Sequence, residues 1–256
     1  MKIYSFITYI LPVIFLLTGC TGQNSRKKET ATAAETKSVP DTGYTGIKKY
    51  YSNDRLIKEI TFKNGVREGE MKSYYQGGQL YQRFWYEKGL REDSAVWYFL
   101  EGQVFRTTPF RHDTIDGIQK QYYRNGKLRA RIKYVKGLRS PFFEEYNNQG
   151  KVITGYPVIV AEIKDNYKTS GQVGIALSIS NKSSKVTFYR GELTNGLFDT
   201  TKCARIKTVD GKAVIDMKKS STPQKEFVNV VAEIITGFGN RYITSKKIDL
   251  PYKDLK

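Results

Sequence analysis

The chain has 256 residues, with 43 Lys+Arg against 25 Asp+Glu, a formal net charge of +18, one His and two Cys. Two Cys make neither a disulfide scaffold nor a Cys-based zinc site, one His makes no His-rich metal centre, and both shortages weigh against most hydrolase and metalloenzyme chemistry. Nineteen Tyr, 22 Gly and only 7 Pro suit many short strands joined by tight turns, and the positive charge points to an anionic partner surface.

Residues 1–19 read as a bacterial secretion signal: Lys2 is a thin basic start and Phe6 to Leu17 an apolar stretch too short to span a bilayer. The stretch ends in Leu17-Thr18-Gly19-Cys20, which resembles the lipobox of bacterial lipoproteins. That resemblance implies cleavage before Cys20, lipidation of Cys20 and membrane anchoring by several acyl chains, each contributing about 0.8 kcal/mol per buried CH2. Residues 20–46 then form the lipidated Cys and a flexible tether. Thr21 to Pro40 is rich in Thr, Ser, Ala, Lys and Glu and has no bulky apolar residue except Val39.

From residue 47 to 156 the chain repeats every 24 residues. Tyr50, Tyr74, Tyr98, Tyr122 and Tyr146 mark the register, followed by Tyr51, Tyr75, Phe99, Tyr123 and Asn147. Asp54, Gly78, Gly102, Gly126 and Gly150 come four residues after each first Tyr, and an aliphatic residue two further on: Leu56, Leu80, Val104, Leu128, Val152. Later registers carry Phe62, Tyr86, Phe110 and Tyr134, then Gly65, Gly89, Asp113 and Gly137, then Gly69, Asp93, Gly117 and Pro141. Asn125-Gly126 predicts a tight hairpin. Leu128, Ala130, Ile132 and Tyr134 alternate with Arg129, Arg131 and Lys133, the period of a half-buried strand. Each unit is therefore expected to be strand, turn, strand and Gly-bearing loop, stacked into an elongated antiparallel sheet. The repeated Tyr is expected to stack on its counterpart in the next unit. The Tyr-Tyr-x-x-Gly-x-Leu core resembles the MORN-type repeat in its bacterial variant form, best in residues 71–94 and 119–142. Proteins of this kind are grouped with the YwqK-type antitoxin-like family, which implies a protein partner rather than a reaction.

Charge concentrates in one unit. Residues 119–142 hold eight basic side chains and no acidic one, whereas residues 95–118 balance close to zero. Tyr122, Arg129, Arg131 and Lys133 are the expected contact set for phosphate or carboxylate groups.

From 157 to 256 the period is lost but alternation continues, in Val158–Ile163, Val173–Ile179, Val186–Tyr189, Cys203–Val209, Ala213–Met217, Phe227–Ile235 and Arg241–Ile248. Seven short strands predict a β-sandwich of immunoglobulin or fibronectin type. Cys203 reads as a small buried residue, and His112 as a loop residue beside Asp113. The adjacent Glu144 and Glu145 point to opposite faces and cannot act as an acid/base pair. No catalytic constellation, cofactor loop or metal set is read.

The expected protein is all-β: a MORN-like repeat sheet, then a β-sandwich. Its expected role is a non-catalytic, lipid-anchored envelope lipoprotein that binds or scaffolds a protein, an anionic lipid or a polysaccharide, with no nucleic acid. An antitoxin or immunity-type protein that binds a toxin is the alternative.

Overall fold

The computed structural model describes residues 43–221 and 226–256. The expected signal segment, Cys20 and all but the last residues of the tether lie outside the described residues.

Ten strands form one antiparallel sheet in a simple meander. They are β1 (Gly46–Ser52), β2 (Arg55–Lys63), β3 (Val66–Tyr74), β4 (Leu80–Glu87), β5 (Leu90–Tyr98), β6 (Val104–Arg111), the short β7 (Thr114–Ile115), β8 (Gly117–Tyr122), β9 (Leu128–Val135) and β10 (Leu138–Glu145). Two connection types alternate, and together they produce the period. At one end of the strands are two-residue turns: Asn64-Gly65 (φ 51° and 75°), Lys88-Gly89 (49° and 85°), His112-Asp113 (49° and 63°) and Lys136-Gly137 (47° and 82°). Positive φ at both central residues is the hairpin turn whose twist matches its strands. At the other end the β1–β2 connection is again a two-residue turn, Asn53-Asp54 (48° and 59°), and the connections after it are longer turns. The Tyr123 N–H donates to the Lys127 carbonyl, and the Gly126 N–H to the Tyr123 carbonyl. The same pair of bonds recurs at Tyr75, Phe99 and Asn147.

This corrects the reading of Asn125-Gly126. Only Gly126 is at positive φ; Asn125 instead accepts the Lys127 N–H on Oδ1 at 3.0 Å, so its side chain braces a wider turn. The register of Gly69, Asp93 and Gly117 is not a loop either. These residues lie within or at the start of strands, at φ 91°, 56° and 121°. At Gly117 a Cβ would come within 2.9 Å of the Pro109 ring, which accounts for the glycine there.

One face of the sheet buries a row of side chains. Ile60, Met71 and Phe84 oppose one another across three strands, and Ala95 with Thr108 and Gln119 with Ile132 continue the row. The buried Gln119 amide donates to the Thr108 hydroxyl at 3.0 Å, so this polar interruption is satisfied. Among the described residues β1 is the outermost strand at one edge, where Lys48 and Lys49 discourage further strand pairing. At the opposite edge the Phe198 N–H donates to the Arg139 carbonyl of β10.

The rest of the chain forms two four-stranded antiparallel sheets. β11 (Ile159–Asn166), the single helical turn α1 (Tyr167–Ser170), β12 (Gln172–Ile179), β13 (Val186–Arg190), β14 (Ala204–Arg205), β15 (Thr208–Val209), β16 (Lys212–Lys218), β17 (Phe227–Ile235) and β18 (Arg241–Asp249) follow in order. The strand orders are β11-β12-β16-β15 and β14-β13-β17-β18. Val173, Ile175, Leu177 and Ile179 of one sheet share a buried cluster with Val186, Phe188, Val230 and Ile234 of the other. Cys203 is buried with Phe198, Val231 and Ile243. The protein is thus all-β and antiparallel throughout, with no helix longer than one turn among the described residues.

Candidate binding face of the repeat sheet

Opposite the buried row, one unbroken row of side chains crosses the sheet. It runs Lys49, Glu59, Lys72, Arg83, Val96, Thr107, Lys120, Arg131, Glu144, each the cross-strand partner of the next. Acids temper its cations at both ends. Lys49 lies 3.5 Å from Glu59, Glu70 holds Lys72 and Arg83 at 2.6 and 3.7 Å, and Glu144 holds Arg131 at 2.8 Å. The repeated tyrosine belongs to this arrangement. The Tyr74 hydroxyl donates to Glu59 at 2.5 Å and the Tyr146 hydroxyl to Glu144 at 2.8 Å. The Tyr74 hydrogen bond holds the Glu59 carboxyl below its ordinary range, while burial and that same carboxylate push Tyr74 up to about 12.

Tyr74 and Tyr146 therefore do not stack on their counterparts as expected; these two are tied to carboxylates. Units are joined instead by the second aromatic. The Tyr75 hydroxyl donates to the Tyr98 carbonyl at 2.8 Å and the Tyr123 hydroxyl to the Tyr146 carbonyl at 2.6 Å. Phe99, in the same register, has no hydroxyl to make the bond. Aromatic pairs lie within units, Tyr75 on Tyr81 and Phe99 on Phe105, and also between them, Phe84 against Trp97 and Phe110 at 5.3 and 6.2 Å. Arg129 occupies the corresponding place beside Tyr123.

The four expected contact residues have different fates. Arg129 donates through Nη2 to the Phe238 carbonyl at 2.6 Å and so fastens the repeat sheet to the β17–β18 loop. Arg131 is bound to Glu144 and lies over the Phe142 ring, and the hydrogen bonds it donates to Tyr146 and Glu144 raise its pKa further. Tyr122 is half-buried opposite Leu128. Lys133 is exposed, and so is Lys120, opposite Arg131 in the row. No carboxylate of the described residues pairs with either lysine. Local charge counting included Lys120 but did not place it on this face, because the strand register was needed to bring it beside β9. Trp85, 45% exposed, lies on the same face opposite Glu70.

A second repeated feature escaped the sequence reading although its spacing was visible. Arg67, Arg91 and Arg139 share the 24-residue register and lie over the rings of Tyr86, Phe110 and Tyr134 at 5.4, 4.5 and 5.9 Å. They help cover the apolar face of a sheet that has a single layer there. Arg106 stacks at 4.0 Å over Trp97 on that same face, and burial lowers its pKa.

His112 is a turn residue whose N–H donates to Glu92 at 2.8 Å, and its ring is largely exposed. Glu144 and Glu145 do face opposite sides, one bound to Arg131 and the other buried. Among the described residues no group of three or more His, Cys, Asp or Glu is gathered for a metal ion, and no helix is long and apolar enough to cross a membrane.

The MORN repeat variant model matches the chain at residues 67–88 and 115–136. Each match begins at the second strand of one hairpin and ends in the two-residue turn of the next. No curated protein matches the chain. The repeat matches and the antiparallel repeat sheet are those of a repeat-based binding module.

Proposed function

We propose that the protein is a non-catalytic, lipid-anchored lipoprotein of the bacterial envelope whose repeat sheet binds an anionic envelope component or a protein partner. The observation that carries this reading is the row across the sheet, charged towards both ends and uncharged at Val96 and Thr107, in which Lys120, with Lys133 on the adjacent strand, is exposed and has no carboxylate partner among the described residues. A row of fixed side chains at strand spacing presents charge without reorganising, and an anionic surface gains from several such contacts at once. Arg131 supports the patch from within, held by Glu144, while Arg129 serves the joint. The Leu17-Thr18-Gly19-Cys20 motif supports anchoring through Cys20.

The test uses the full chain. The double variant Lys120→Glu, Lys133→Glu is expected to lose binding to anionic liposomes or acidic polysaccharide, with unchanged circular dichroism and unfolding midpoint. Undiminished binding would remove this face from consideration. Cys20→Ser is expected to leave the membrane fraction, and crosslinked pull-down from envelopes would identify a protein partner. Capture of a toxic protein through the same face would move the reading to the toxin-binding alternative.

A further inference from the structure

Glu145 of the last repeat strand, residues 153–157, the segment 181–185 and the start of the β17–β18 loop line a solvent-open cavity of about 480 Å³. Its lining includes Tyr156, Pro157, Ile234 and Phe238, together with the exposed Lys185 and with Glu145. Glu145 is 1% exposed. Its Oε1 accepts from the Thr236 hydroxyl at 2.7 Å and from the Asn240 amide at 2.8 Å. The Asn240 orientation is fixed, because its Oδ1 accepts from Gln121 at 2.9 Å and the NH2 end is therefore the one that faces Glu145.

All of these donors are neutral. The arginines nearby in sequence are committed elsewhere, Arg129 to the Phe238 carbonyl and Arg131 to Glu144. No cation of the described residues pairs with Glu145. A buried carboxylate without a counter-ion is costly, and an ionised carboxylate offers about four acceptor positions. Tyr156 senses the charge: burial and the neighbouring Glu145 push its hydroxyl up to about 12. The cavity thus combines a buried carboxyl group that has no ion-pair partner among the described residues with the rings of Tyr156 and Phe238, the latter already approached by the Arg129 guanidinium at 5.8 Å, and aromatic faces attract cations. Its volume is that of a small-molecule site.

We propose that this cavity binds a primary ammonium group on an alkyl chain, with Glu145 as its counter-charge and Tyr156 and Phe238 as its walls. A primary ammonium supplies three donors and one positive charge, the complement of what the carboxylate has left open. The group could be carried by a free alkylamine or by a lysine side chain. The site is separate from the exposed basic face and does not depend on that reading.

The test is calorimetric titration of the full chain with n-butylammonium chloride, with n-butanol and potassium chloride as controls. Saturable binding is expected for the ammonium alone. Glu145→Gln keeps an acceptor for Thr236 and Asn240 but removes the charge, and is expected to weaken binding at least about tenfold. Lys185→Met, which removes the like charge from the lining, is expected to tighten it severalfold and keeps the test decisive if Glu145→Gln fails to fold. Absence of saturable binding, equal displacement by potassium, or an affinity unchanged in either variant would overturn the proposal. Nα-acetyl-lysine methylamide, titrated alongside, distinguishes the sources: tighter binding than n-butylammonium assigns the site to a lysine side chain, weaker binding to a free amine.

Discussion

The repeat sheet and the pair of C-terminal sheets solve the same burial problem differently. In the C-terminal region a pair of apolar sheet faces meet, and Ile175, Phe188, Val230 and Ala232 are fully buried by ordinary alternation. The repeat sheet has one layer over much of its length, and its core rings Phe62 and Phe84 each keep 9% of their surface exposed. It makes up the deficit with repeated features: arginines laid over aromatic rings, hydroxyl latches between units and turns of fixed geometry. Stability in the C-terminal region depends on a few central side chains, and in the repeat sheet on many equivalent small contacts, the behaviour of quasi-one-dimensional folds. Trp85 and Trp97 both lie in the repeat sheet, so tryptophan fluorescence reports on that region alone.

The sharpest way to break the contrast is in the cores. Phe188→Ala is expected to cost about 3–5 kcal/mol, whereas Phe84→Ala, with more room to relax, costs about 2–3. Urea unfolding followed by fluorescence and by circular dichroism should give diverging midpoints for Phe188→Ala, and coincident midpoints would show the two regions unfold as one. Glycines give the next largest difference. A Cβ on Gly211, at the β15–β16 turn, would meet the Ser183 carbonyl oxygen at 2.5 Å, whereas one on Gly126 meets nothing. Gly126→Ala is expected to cost about 1–2 kcal/mol from positive φ alone, and Gly211→Ala several times that, read from thermal midpoints.

Asn240→Ala attacks the joint itself. It leaves Glu145 and Gln121 each short of a buried partner, costs about 1–3 kcal/mol, and should separate the two unfolding transitions. The latches are smaller. Tyr123→Phe is expected to lose about 1 kcal/mol and Phe99→Tyr to gain up to that amount, both visible by fluorescence.

The smallest effect is on pH dependence. Glu59 is held below its ordinary pKa by Tyr74, so its contribution is present above the unfolded carboxyl's range and is lost as pH falls through the folded value. Tyr74, raised to about 12, contributes below pH ~10 and loses that contribution as pH rises towards its folded value. Glu59→Gln should flatten the acid limb of the fluorescence-detected stability curve and leave C-terminal unfolding unchanged.

Much of this was legible in sequence because it is local. Period-two alternation located β12, β16, β17 and β18 almost to the residue, and the 24-residue register marked the hairpins. The identity of the turns was less legible. Lys88-Gly89 and His112-Asp113 adopt the same two-residue geometry as Asn64-Gly65 because the flanking strands impose the twist, while the Asn-Gly pair at 125–126 sits in a wider turn. The long-range contacts were not legible. Arg129 meets a carbonyl 109 residues away, and nothing in its own strand distinguishes it from Arg131, which finds Glu144 across one hairpin. The expected contact set was chosen from charge along a single strand; the surface was assembled by register between strands, which brought Lys120 in and took Arg129 out.

The asymmetry of the repeat sheet's edges has a consequence for size. β10 is held by the C-terminal region, whereas β1 has no outer neighbour among the described residues and begins the run of repeated hairpins. Neighbouring strands lie about 4.8 Å apart, so one 24-residue hairpin spliced in or out near β1 would move the Glu145 joint roughly 10 Å farther from the amino-terminal edge or nearer to it. Reach is therefore adjustable in fixed increments, and the joint would not sense the change.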